Sequence, residues 1–141
     1  MHEQDLDAAD RVLRLAFGTI RGLADPDAAF GDSDLVRTRF RAAPEHAWAA
    51  ELDGDVVGSV FAAHWGSFGV LGPLTVDPGR WDRGIGGRLL EPVLEAFESW
   101  GLRQAGLFTF NGTYTSTRIE VAANMPLEGF TYAMTMRLNR Q

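Results

Sequence analysis

Leu74-Thr75-Val76-Asp77-Pro78-Gly79-Arg80-Trp81-Asp82-Arg83-Gly84-Ile85-Gly86-Gly87-Arg88-Leu89-Leu90 is the stretch whose reading decides the fold. A β-branched run ends in Val-Asp-Pro, an arginine- and glycine-rich turn follows, and apolar residues then resume at helical spacing. A strand that feeds a glycine-rich helix start is an anion site in outline. The first-turn amides of a helix have no acceptor within the helix, and they stand at the positive end of its dipole. Gly84, Ile85, Gly86, Gly87 and Arg88 are therefore candidate N–H donors, and glycines let a phosphate come close to the backbone.

Spacing narrows the ligand. A dinucleotide fingerprint requires a third glycine where Leu89 stands, and a P-loop requires a lysine, which this chain lacks. What is left is strand, Val-x-Pro, arginine-rich turn, Gly-x-Gly and amphipathic helix. This order resembles motif A of the GNAT (GCN5-related) N-acetyltransferases, in which the loop holds the pyrophosphate of acetyl-CoA. The resemblance is carried by Trp65 to Phe110 and is looser over residues 5 to 64. Trp81 stands where the family usually has Gln or Arg, Met125 where it commonly has a Tyr, and Gly129-Phe130 echoes the Gly-Phe that closes motif B.

Working outward, Leu6, Ala9, Val12, Leu13, Ala16, Phe17 and Ile20 recur at helical spacing. Asp5 or Asp7 is expected to cap that helix, which should end near Gly22. Leu23 to Asp34 reads as a loop, and Leu35 to Arg41 as a short helix whose Arg37, Arg39 and Arg41 form a solvated face. Ala47 to Leu52 and Val56 to Ala63 flank Asp53-Gly54, the signature of a tight hairpin. Gly66 to Gly69 reads as a further break, and Val70 to Val76 as the third strand. Ile85, Leu89, Leu90, Val93, Leu94, Phe97 and Trp100 make the stripe of the next helix, with Pro92 inside it and Gly101 as its C-terminal cap. Ala105 to Phe110 should then run parallel to its neighbour through a right-handed crossover. A short helix from Arg118 to about Ala123 and a last strand, Thr131 to Leu138, complete the reading.

The fold class expected is α/β (α+β), a GNAT-like mixed and mostly antiparallel twisted sheet flanked by helices. The family's first strand has no counterpart, and the C-terminal part is atypical. Residues 1–141 read as a single domain. A net charge of −6 argues against nucleic-acid binding and suits cationic partners such as amines. All 13 basic residues are Arg. With no cysteine, disulfides, thiolate metal sites and a cysteine acyl-enzyme are excluded. No signal core or apolar run of spanning length is present, so a cytoplasmic location is expected, with no membrane partner and no metal.

The resemblance implies an N-acetyltransferase with acetyl-CoA as co-substrate and a small-molecule or peptide amine as acceptor. It also implies a pyrophosphate over Arg83 to Arg88 and a pantetheine arm paired with the backbone of Leu74, Thr75 and Val76, where the sheet must splay. A backbone N–H such as that of Val76 would then stabilise the oxyanion. His64 and Glu51 are the candidate bases. Tyr114 is the candidate proton donor to the thiolate, with Tyr132 reading as core. Trp65, Phe68 and Trp81 surround the ligand-facing strand, as acceptor-pocket lining or as packing. A catalytically weak acyl-CoA-binding or sensing module is the alternative, and the uncovered sheet edge suggests a homodimer.

Overall fold

The computed structural model describes residues 1–102, 104–108 and 133–137. Its first long element, α1 (Leu6–Ile20), buries Leu6, Ala9, Val12, Leu13 and Ala16, the stripe read from the sequence. The helix stops in a Schellman motif. Gly22 takes φ 66°, its N–H reaches the Thr19 carbonyl (3.1 Å), and the Leu23 N–H reaches that of Gly18 (3.0 Å). The expected caps differ. The Asp5 carboxylate accepts the His2 N–H (2.7 Å) and so closes a preceding 3₁₀ turn, while Asp7 pairs with Arg37 of the second helix.

The loop after α1 is held by one side chain. Arg14 donates from Nε to Asp10 (2.7 Å), from Nη1 to the carbonyls of Ala29 (2.7 Å) and Gly31 (2.8 Å), and from Nη2 to that of Ser33 (2.8 Å). A planar guanidinium with five donors can satisfy several carbonyls at once in a way that an ammonium cannot. Gly18 lets the loop lie against α1, since a Cβ there would sit 2.3 Å from the Pro26 carbonyl oxygen. Helix α2 (Leu35–Ala42) follows, and on its solvated face Arg37 pairs with Asp7 and Asp34.

Strands β1 (Ala47–Leu52) and β2 (Asp55–Trp65) form the hairpin expected, with Asp53 (φ 54°) and Gly54 (φ 87°) both left-handed as a type I′ turn requires. A second tight turn at Gly66-Ser67 leads to β3 (Phe68–Val76). Gly69, expected within that break, lies inside β3. It is small because Leu102 and Phe97 lie on it, at 2.5 and 2.9 Å from where a Cβ would stand. Helix α3 (Ile85–Ser99) runs on through Pro92, which withholds an N–H from the Arg88 carbonyl. It ends at Gly101 in a second Schellman motif, with Gly101 N–H to Glu98 and Leu102 N–H to Phe97. Strand β4 (Gln104–Phe108) pairs in parallel with β3, and β5 (Ala133–Arg137) antiparallel with β4.

Among the described residues the sheet has five strands in the order β1-β2-β3-β4-β5, antiparallel except at β3/β4. Its two faces carry separate cores, as strand alternation demands. Val60, Ala62 and Leu71 meet Leu89, Leu90, Val93 and Phe97 of α3, whereas Ala47 and Phe61 meet Leu6, Ala9 and Leu13 of α1 and Val36 of α2. At the sheet's edge the Met1 ammonium donates to the Ala47 carbonyl (3.2 Å). Among the described residues no helix is long and apolar enough to cross a membrane.

Candidate functional site

Towards α3 the pairing of β3 becomes irregular. Among the described residues, β3 and β4 are paired over Phe68–Leu71 and Gln104–Leu107. Immediately after Leu71 come Gly72 (φ 120°) and Pro73. Here β3 carries one residue more than β2, because Val60 faces Leu74 while Ala62 faces Leu71. Proline has no N–H to offer a neighbouring strand, so Pro73 adds no donor at this irregular point of β3. The sequence reading missed this device, although a Gly-Pro pair inside a strand-like run was its signal.

Beyond the bulge, the register decides which backbone groups are available. The Asp77 N–H donates to the Val57 carbonyl (2.8 Å), so 57/77 is a hydrogen-bonded pair. Alternation along an antiparallel ladder then makes Ser59/Thr75 a bonded pair, and Gly58/Val76 and Val60/Leu74 non-bonded pairs. The amides and carbonyls of Leu74 and Val76 therefore point away from β2, towards the β4 side of β3. Thr75, grouped with them in the sequence reading, is turned into the sheet. Its backbone faces Ser59, and its buried hydroxyl lies 3.2 Å from that of Ser59 on the α1 side.

The loop after Val76 is built from short-range contacts. Asp77 accepts the Gly79 N–H on its carboxylate (2.8 Å) and the Arg80 N–H on its carbonyl (2.8 Å). Asp82 (φ 64°) and Gly84 (φ 76°) are both left-handed and bracket Arg83. Asp tolerates that region because its short polar side chain bonds locally, and Gly tolerates it for want of a Cβ. The Trp81 indole N–H reaches back to the Val76 carbonyl (2.8 Å).

Gly84 is the N-cap of α3, which leaves the amides of Ile85, Gly86 and Gly87 with no acceptor inside the helix. Arg88 departs from the sequence reading here, since its N–H is committed to the Gly84 carbonyl (3.2 Å) and only its exposed side chain remains available. Arg83 is exposed as well, and Arg80 half-buried. The first turn of α3 abuts the end of β3: a Cβ on Gly86 would stand 3.9 Å from Val76 Cγ2.

Neither Gly86 nor Gly87 has an internal reason to be glycine. Both sit in helical backbone, Gly86 has only ordinary contact room to lose, and Gly87 faces open space among the described residues. Each weakens the helix by about 1 kcal/mol relative to alanine. Bare backbone at these two positions fits close approach of a ligand. Gly87→Ala is accordingly expected to raise stability by about 0.5–1 kcal/mol in a urea titration and to weaken an anionic ligand several-fold in calorimetry. A gain in stability with unchanged affinity would remove Gly87 from the site.

His64 is not part of this corner. Its ring stacks on Trp100 (centroids 4.9 Å apart, 5° between planes), and His46 meets the same indole edge-on at 4.6 Å. It pairs across the sheet with Gly69, seven residues before Val76, about 20 Å away at the rise of an extended strand. The structure therefore does not bring His64 together with the α3 helix start. Glu51 is exposed on β1, and Trp65 is 54% exposed at the β2/β3 turn, also remote from the loop. Tyr114, Tyr132, Met125, Gly129 and the short helix from Arg118 lie outside the described residues. Among the described residues no group of three or more metal-ligating side chains occurs.

The chain belongs to the acetyltransferase (GNAT) family, whose model matches residues 13–118. Solved structures share the fold. A GNAT family acetyltransferase from Brucella melitensis in complex with acetyl-CoA is 23% identical with a TM-score of 0.66, over 99% of this chain and 86% of that one. The PaiA N-acetyltransferase from Thermoplasma acidophilum in complex with coenzyme A is 14% identical with a TM-score of 0.78, over 98% and 96%. The ribosomal-protein-S18-alanine N-acetyltransferase from Escherichia coli is 16% identical with a TM-score of 0.68, over 100% and 94%. A search of curated proteins gives no match.

Proposed function

We propose that this protein, acting as a single domain, transfers an acetyl group from acetyl-CoA to a primary amine of a small molecule or peptide. The observation that supports this most is the junction of two backbone surfaces: the outward-facing groups of Leu74 and Val76, and the first-turn amides of Ile85, Gly86 and Gly87, which have no acceptor within α3. The amides of the α3 first turn, with Arg83 and Arg88 beside them, hold the diphosphate. The outward groups of β3 hold the arm as an added strand would, since that arm alternates carbonyls and N–H groups.

Acetyl-CoA brings an activated acyl carbon on a thiolate leaving group. The chain supplies position and charge stabilisation. With the diphosphate fixed at α3, an arm running up β3 passes Val76 first and Leu74 next, beside Gly72-Pro73. The Leu74 N–H is thus better placed than that of Val76 to donate to the carbonyl oxygen as the amine attacks. A fixed backbone donor of this kind is worth about 2.7–4 kcal/mol in acyl transfer. Holding amine and thioester together supplies much of the remaining acceleration. Net charge −6 favours a cationic acceptor in the encounter.

The test is release of free thiol from acetyl-CoA in the presence of a panel of amines, alongside calorimetry with coenzyme A. Amine-dependent thiol release is the result expected. Binding without release under any amine would reduce the protein to an acyl-CoA-binding module, and no binding would overturn the reading.

A further inference from the structure

The Trp81 indole bond differs in kind from the other contacts of the loop. The bonds from Gly79, Arg80 and Trp81 N–H fold residues 77–81 onto themselves. The indole N–H instead crosses the junction, from the loop to the last outward carbonyl of β3. Its distance, 2.8 Å, is that of a well-formed N–H···O bond, and it is half-buried. Two surfaces of unlike origin meet at this point, a strand edge and a helix start, and a ligand that uses both gains only if their separation is fixed beforehand.

Resting on the coenzyme reading above, we propose that Trp81 is a positioning residue that locks the α3 anion site to the outward-facing groups of β3 through its bond to the Val76 carbonyl. The tie has a second consequence. With the Val76 carbonyl engaged, the edge presents Leu74 N–H, Leu74 C=O and Val76 N–H, so it selects an arm that brings acceptor, donor and acceptor in that order. Trp81 itself touches neither reacting atom. It acts on how well the nucleotide half and the arm half of one ligand are held together, and hardly at all on either half separately.

Two ligands separate this from a packing role: 3′-phosphoadenosine 5′-diphosphate, which carries the diphosphate without the arm, and intact coenzyme A. In calorimetry Trp81→Phe is expected to bind the first within about twofold of the wild type and the second about tenfold more weakly, the scale of one lost hydrogen bond with a stranded carbonyl. The KM for acetyl-CoA should rise by a similar factor, with kcat changed less. Replacing Trp81 with 3-benzothienylalanine, which keeps the ring outline and lacks the N–H, should reproduce the split if the phenylalanine variant folds poorly. Equal losses on both ligands, or undiminished binding of coenzyme A, would overturn the proposal. Failure of the wild type to bind either ligand would sink the coenzyme reading itself, and is told apart because it needs no variant.

Discussion

Gly86→Glu is expected to raise the dissociation constant of coenzyme A by more than about a hundredfold while leaving the fold intact. The position tolerates a side chain, since its Cβ would meet Val76 Cγ2 at an ordinary 3.9 Å and its backbone is helical. What it does not tolerate, on this account, is negative charge where the diphosphate lies. Two like charges about 4 Å apart repel by roughly 4 kcal/mol at the effective dielectric of a protein surface, which corresponds to a factor of several hundred in affinity. Calorimetry against coenzyme A, paired with a thermal melt, measures both halves. Micromolar affinity retained in a folded variant would show that the anion is held elsewhere.

The second large effect concerns the scaffold that brings α3 to the sheet. Phe97 is fully buried and packs onto Gly69 of β3, with Val93, Leu90 and Leu102 beside it. Phe97→Ala removes that contact from a surface that Gly69 cannot fill. A loss of about 3–5 kcal/mol is expected, against a total of roughly 5–15 for a domain of this kind. In a melt this should appear as a fall of more than about 10 °C. A change under about 1 kcal/mol would mean that α3 is not seated on β3 as described.

The parts of this molecule written in local chemistry were legible from the sequence. Asp53-Gly54 gives the hairpin because both residues accept positive φ, and the α1 and α3 stripes follow from helical spacing alone. The parallel β3/β4 crossover follows from the handedness of a strand-helix-strand unit. The glycine-rich helix start was likewise visible, because orphan amides are a property of any helix terminus.

What escaped depends on neighbours that are distant in sequence. Gly69 read as a turn glycine, yet it is small to admit Phe97 and Leu102. His64 read as a candidate base by its residue type, yet the fold stacks it on Trp100, 36 residues away in sequence. Thr75 read with Leu74 and Val76, and only the register showed that alternate residues of β3 turn to opposite sides. Trp81 read as pocket lining or packing, because no local rule connects an indole N–H to a carbonyl five residues back. Gly72-Pro73 did carry a local signal and marks the irregularity in the β2/β3 register.

The central claim is that the amides at the start of α3 and the outward edge of β3 act as one ligand surface. Titration of the ¹⁵N-labelled protein with coenzyme A, followed by amide chemical shifts, tests this most directly. The account predicts large shifts at Ile85, Gly86, Gly87, Leu74 and Val76, with Thr75 and the His64–Trp100 end of the sheet little changed. Shifts centred on the His64–Trp100 end, or none at Ile85 to Gly87, would contradict it.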